Sequence, residues 1–135
     1  MLKLIIGVKG TGKTKTLINL VNSALEVTKG DVVCIEKGVK LRYDIKPTAR
    51  LVDVEEYMVA DAQSLYGFIA GILASNHDVT DLFVDSTLKI CKGDVPSFEA
   101  LVVELDRLST KLGVNMLMTV SMPEDEASDT VKKYL

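Results

Sequence analysis

Tryptophan is absent from the 135 residues, histidine occurs once, cysteine twice and proline three times. The two cysteines, Cys34 in VVCI and Cys91 in LKICKG, stand apart without CxxC spacing. That excludes a zinc knuckle or a disulfide framework and reads as two small core residues in a reducing compartment. The single His77, in an SNHD loop, offers no histidine cluster to a transition metal and reads as an ordinary loop residue. No apolar run approaches the roughly 20 residues of a membrane span. MLKLII leads straight into glycines, without the h-region of a signal peptide, so a cytoplasmic location is expected. Positive charge is not in excess either. Lys and Arg total 16 against 19 Asp and Glu, a net charge of −3, which gives no general attraction to nucleic acid or to an anionic membrane. Otherwise the composition, 47% hydrophobic and 26% charged, is that of an ordinary globular chain, and its length suits one domain, 1–135, around one core.

Glycine and lysine are concentrated in one place. GVKGTGKT, Gly7 to Thr14, follows the apolar run LKLII and precedes a stretch with Leu17, Leu20, Val21, Ala24 and Leu25 at helical spacing. It satisfies G-x-x-x-x-G-K-[ST] at every fixed position. The chemistry explains the residue types. Phosphate oxygens must reach several successive backbone N–H groups, and side chains on the inner turn would block them. The N-terminus of the following helix adds unpaired N–H groups and its dipole. Lys13 supplies a point charge for the β- and γ-phosphates, and the Thr14 hydroxyl suits a magnesium shell. Val8, Lys9, Gly10, Thr11, Gly12, Lys13, Thr14 and Lys15 are therefore the candidate nucleotide-binding residues, for ATP or ADP with Mg2+.

Further along, apolar runs and helical patterns alternate. DVVCIE (31–36), DLFVD (81–85) and VNMLMTVSM (114–122) read as strands. The spacing predicts helices over 13–28, 61–76 and 96–112, the last opened by Pro96 and Ser97 and closed by Gly113. Lys29–Gly30 ends the first. GVKLRYDI alternates strictly, with Val39, Leu41, Tyr43 and Ile45 on one side, and ARLVDV follows the turn at Pro47. Residues 38–54 thus read as a small β-hairpin or as a strand with an extended approach. A polar tail with a short helix closes the chain. The whole predicts an α/β three-layer sandwich around a mostly parallel sheet.

On the full loop motif in its strand–helix context, the chain resembles the P-loop NTPases over most of its length. The resemblance implies a magnesium-binding aspartate at the tip of a neighbouring strand, and Asp85, ending LFVD, takes that position. Many members carry a glutamate next; Ser86 stands there instead. The additional-strand, RecA-like branch takes its general base from the strand after the P-loop helix, which here makes Glu36 the candidate, with Glu55 and Glu56 as fallbacks. The same branch carries a γ-phosphate-sensing polar residue on the strand after the aspartate, here Thr119 or Ser121. Signalling GTPases have D-x-x-G where this chain reads DSTL, and small-molecule kinases need an arginine-rich lid, whereas Arg42, Arg50 and Arg107 are the only arginines. There is a looser similarity to short bacterial P-loop proteins named after twitching-motility ATPases. Their motor function is not implied, because the acidic and histidine boxes are missing.

Two functional readings stand. One is a magnesium-dependent ATPase with Lys13 and Glu36 as catalytic residues, active as a homo-oligomer or with a protein partner that supplies a cation; Arg42, Arg50 and Lys89 are the residues to test. The other is a nucleotide-responsive binding module with negligible hydrolysis. The basic stretch 37–50 reads as a solvated face. It lacks interleaved stacking aromatics, so nucleic acid is not the expected partner.

Overall fold

The computed structural model describes residues 1–135. In chain order the elements are β1 (Leu2–Gly7), α1 (Lys13–Val27), β2 (Asp31–Glu36), β3 (Arg50–Asp53), α2 (Ala62–Ser75), β4 (Val79–Val84), α3 (Thr87–Ile90), α4 (Val95–Leu112), β5 (Asn115–Ser121) and α5 (Asp129–Lys132). The five strands form one sheet in the order β1-β5-β4-β2-β3, and every pairing is parallel. β5 stands between the P-loop strand β1 and β4, as the additional-strand arrangement requires. Parallel strands covered on both faces read as continuous apolar runs, and β2 shows it: every residue from Val32 to Glu36 is buried.

Local chemistry fixes the helix ends. Asp61 caps α2 by accepting from Ser64 N at 2.8 Å, and Ser64 Oγ accepts from Asp61 N at 3.2 Å, a reciprocal capping box. Asp94 caps α4 by accepting from Ser97 N, Pro96 sits in the first turn, and Gly113, with φ +69°, closes the helix in the left-handed region.

The two sheet faces are covered unequally. On one, α2, α3, α4 and α5 pack over Leu2, Leu4, Val33, Ile35, Leu82 and Val84, making a core of 26 buried residues. On the other, Leu17 and Val21 of α1 lie over Val32, Cys34 and Phe83 in a core of 8.

Residues 38–54 do not form the hairpin. Only Arg50–Asp53 is a strand, and it pairs in parallel with β2. The approach to it is a series of turns. Leu41 and Ile45 are buried, whereas Val39 and Tyr43, on the same side of the alternation, are exposed. Two causes are visible. Gly38 takes φ +106°, and the Glu36 carboxylate binds the consecutive N–H groups of Lys40 and Leu41, which a ladder would need to point in opposite directions. Asn22 of α1 then brackets the turn, donating to Asp44 O and accepting from Lys46 N, both at 3.0 Å. Leu41, Ile45 and Ala49 join Leu17 and Val21 of α1 in the smaller core. No helix of the protein is long and apolar enough to cross a membrane.

Candidate nucleotide and magnesium site

Four of the six buried polar side chains, Lys13, Glu36, Asp85 and Thr119, meet at the C-terminal ends of the strands. In open α/β sheets that crevice is where ligands bind. A cavity of about 680 Å3 lies there, within the size range of ligand pockets.

The P-loop forms one wall. Gly10 and Gly12 have φ +89° and +86°, conformations that favour glycine. A Cβ on Gly7 would lie 2.7 Å from Thr11 Oγ1, and that hydroxyl donates to Val8 O at 2.8 Å, closing the loop on itself. Lys13 Nζ donates to Val8 O at 2.9 Å and reaches Thr11 Oγ1 at 3.4 Å. α1 begins here without a side-chain cap and without an acidic residue in its first turn. By contrast α2, α4 and α5 are capped by Asp61, Asp94 and Ser128. The helix that starts at the loop is thus the one long helix whose first N–H groups and positive dipole end stay available to an anion. Lys9, Gly10, Gly12, Lys13 and Thr14 line the cavity. Val8 and Thr11 hold the loop's shape, and Lys15 is exposed in the first helical turn.

Asp85, just past β4, lies across from the loop. Thr14 Oγ1 donates to its carboxylate, 3.2 Å from each oxygen. Thr119 Oγ1 donates to Oδ1 at 2.6 Å and accepts from Ser86 N at 2.8 Å. Asp85 N donates to Ile35 O at 2.9 Å, which ties the tip of β4 to β2. Thr119 therefore holds the aspartate and also the turn after it, where Ser86 takes φ +55°. Its hydroxyl is engaged both as donor and as acceptor. Of the two expected sensor residues, Ser121 has no such ties and also lines the cavity. The oxygen set of Asp85 and Thr14 suits magnesium, which takes one or two protein oxygens and completes its shell with water and phosphate. No group of three or more His, Cys, Asp or Glu forms an all-protein metal cage.

Glu36 also lines the cavity, and it is buried. Its two oxygens accept from Lys40 N and Leu41 N, each at 3.1 Å. Burial pushes its carboxyl above the ordinary glutamate value, the two backbone N–H groups pull it down, and nearby Asp85 and Asp53 push it up again; the net shift is upward. Behind it, burial also raises the Cys34 thiol, which stays a neutral core group. Glu55 is exposed, and Glu56 lines, with Arg42 and Arg50, a small neighbouring cleft that shares Glu36 with the larger cavity. None of Glu55, Glu56, Arg42 and Arg50 borders the larger cavity. Lys89 does, and so do Lys37 and Lys40 from the stretch read as a solvated face. The signal for the last two was position: they lie within four residues after the strand-end Glu36 and so open onto the same edge of the sheet.

No protein-family model matches the chain, and no curated protein does. Among solved structures it is similar to a KaiC-like protein from the hyperthermophilic archaeon Pyrococcus horikoshii OT3, at 16% identity and a TM-score of 0.70. The match covers 98% of this chain and 68% of that one. At this identity the likeness is one of fold: a RecA-like α/β sandwich in three layers, built on an all-parallel sheet.

Proposed function

We propose that the chain binds ATP or ADP with Mg2+ at the P-loop and acts as a magnesium-dependent ATPase. One observation carries the reading. The chain of hydrogen bonds Thr14–Asp85–Thr119 sits in the same cavity as Lys13 and the uncapped start of α1. Backbone N–H groups from Gly10 to Lys15 cradle phosphate oxygens, and Lys13 adds a positive charge beside them. Thr14 and Asp85 are the residues that would hold magnesium, which supplies charge neutralisation between the phosphates. Glu36 is the group that would take a proton from water, and its raised pKa moves it toward the useful range near neutrality.

A second reading, a binding module with negligible hydrolysis, is favoured by a specific feature of the same residue. Both Glu36 oxygens already hold the backbone of the following turn, and Ser86 stands where many relatives place a glutamate. Calorimetry and steady-state turnover on purified protein test the proposal. Lys13→Ala should abolish tight triphosphate binding while the fold persists. Asp85→Ala should weaken binding far more with magnesium than in chelator. Unchanged affinity in Lys13→Ala would end the nucleotide reading. Absence of turnover in a wild type that binds normally, at every protein concentration, would leave the binding module.

A further inference from the structure

The charge around the cavity exceeds what the P-loop accounts for. Five lysines line it, Lys9, Lys13, Lys37, Lys40 and Lys89, against two carboxylates, in a chain whose net charge is negative. Of the five, Lys13 is tied down by the loop. The protein's two ion pairs, Lys46–Glu26 and Arg107–Glu104, involve none of the other four. Neither cavity carboxylate forms an ion pair with them. Asp85 accepts from Thr14 and Thr119, and Glu36 accepts from backbone N–H groups.

The lysines far from the P-loop are carried on pinned turns. Glu36 holds the N–H groups of Lys40 and Leu41, and Asp53 Oδ1 accepts from Gly38 N at 2.8 Å, so the Lys37–Lys40 turn is fixed at both ends by buried or partly buried carboxylates. Lys89 follows the Ser86 turn, which Thr119 holds. In the sheet, β5 and β4 separate β1 from β2, so the P-loop and the Lys37–Lys40 turn come to the cavity from strands about 14 Å apart. Between them the lining is polar: Leu41 is its one hydrophobic residue among 14, and no aromatic side chain borders it. A nucleobase or single-stranded nucleic acid finds no stacking surface there. Tyr43, the nearest aromatic in sequence, is 89% exposed and does not line the cavity.

We infer that Lys37, Lys40 and Lys89 form a second anion subsite, in the same cavity but outside the P-loop, that takes the phosphate group of a ligand other than the nucleotide. Like charges gathered around a polar recess raise its local potential and concentrate small anions. The chemistry recognised is a compact oxyanion, from inorganic phosphate or from a phosphorylated small molecule. The inference deepens the nucleotide reading, because it supplies that site's second ligand, but it does not need the P-loop to be occupied.

Calorimetric titration tests it on the full chain saturated with MgADP, with inorganic phosphate as one probe and O-phosphoserine as the other. Wild type is expected to bind phosphate alongside MgADP. Lys37→Gln/Lys40→Gln/Lys89→Gln should bind it at least tenfold more weakly with MgADP affinity changed less than threefold. Tighter O-phosphoserine than phosphate would identify a phosphorylated ligand, the reverse order free phosphate. Phosphate binding unchanged by the triple substitution would overturn the inference. So would a wild type that takes up no phosphate alongside MgADP, and a triple variant that then loses ATP affinity selectively would show that the lysines serve the nucleotide's own terminal phosphate. If MgADP does not bind at all, the nucleotide reading fails by itself. The subsite is then tested in Lys13→Ala, where the P-loop no longer competes: retained phosphate binding supports it and lost binding overturns it.

Discussion

The two faces of the sheet are built from the same strands and differ in what their strand ends carry. On the face covered by α2 and α4, residues remain apolar to the ends: Ile35 on β2, Val84 on β4 and Val120 on β5. On the face covered by α1, the same strands finish in Glu36, Asp85 just beyond β4, and Thr119, all buried and polar. One face is a continuous core of 26 residues; the other holds 8 and gives way to the cavity. Burial of apolar area stabilises in proportion to what is covered, so the first face carries most of the fold. The second tolerates buried polar groups only because each finds a hydrogen-bond partner. Stability and chemistry are thus divided between opposite sides of one sheet, with β2, β4 and β5 shared.

The largest effects should come from the thicker face. Phe98 of α4 is fully buried, and Phe98→Ala should cost about 4 kcal/mol. Leu17 of α1 is equally buried, but it is the smaller side chain and belongs to the smaller core of 8 residues. Leu17→Ala should therefore cost only about 2–3 kcal/mol, near the low end for such truncations. Urea unfolding of both proteins measures the difference. Equal losses would break the comparison, because the thinner face would then be packed as rigidly as the thicker one.

The same contrast explains what was legible in the sequence. The helices expected over 61–76 and 96–112 form as α2 and α4 on the thicker face, where apolar periodicity, Pro96 and Gly113 all agree. The tight turn between β1 and α1 was legible from its glycines, and the place of Asp85 at a strand end from the apolar run before it. The stretch 38–54 was not. Its alternation is real in the sequence, but side-chain carboxylates of Glu36 and Asp53 take the backbone N–H groups that a hairpin would use, and such side-chain captures leave no periodic trace. The two ties of Thr119 were hidden for the same reason: they join residues 33 and 34 positions apart.

Thr119 sharpens the comparison at the level of one hydroxyl. Thr119→Val keeps the shape and removes both the donor to Asp85 and the acceptor for Ser86 N. Leaving buried partners unsatisfied costs roughly 1–3 kcal/mol. Val120 neighbours it in sequence but faces the other core, and Val120→Thr should cost a comparable amount for the opposite reason, a hydroxyl placed where nothing polar meets it. The two substitutions separate in magnesium-dependent nucleotide affinity. Only Thr119→Val should lower it, because only Thr119 orients Asp85. A Val120→Thr protein with an equal loss of affinity would show that the two faces are coupled through β5 rather than divided by it.

The smallest expected effect is a slope, and it bears on the role of Glu36. Its carboxyl is raised in the folded protein, so between the ordinary glutamate value and the raised one the folded state binds more protons than the unfolded state. The sign follows: this group's contribution to stability is fully present below the ordinary value and is lost as pH rises through the raised one. Urea unfolding over a pH series should show wild type losing stability with rising pH relative to Glu36→Gln, by a slope of less than one proton. Only the slope is diagnostic. The Gln variant sets an NH2 group against Lys40 N or Leu41 N and loses stability at every pH, and for the same reason its loss of turnover alone would not identify a base. The opposite slope would mean that the two backbone donors outweigh burial and hold the folded carboxylate below its ordinary value. A base so weakened suits proton transfer near neutrality poorly. Glu36 would then be the residue that closes the turn after β2, and the thinner face would be a site for binding nucleotide rather than for hydrolysing it.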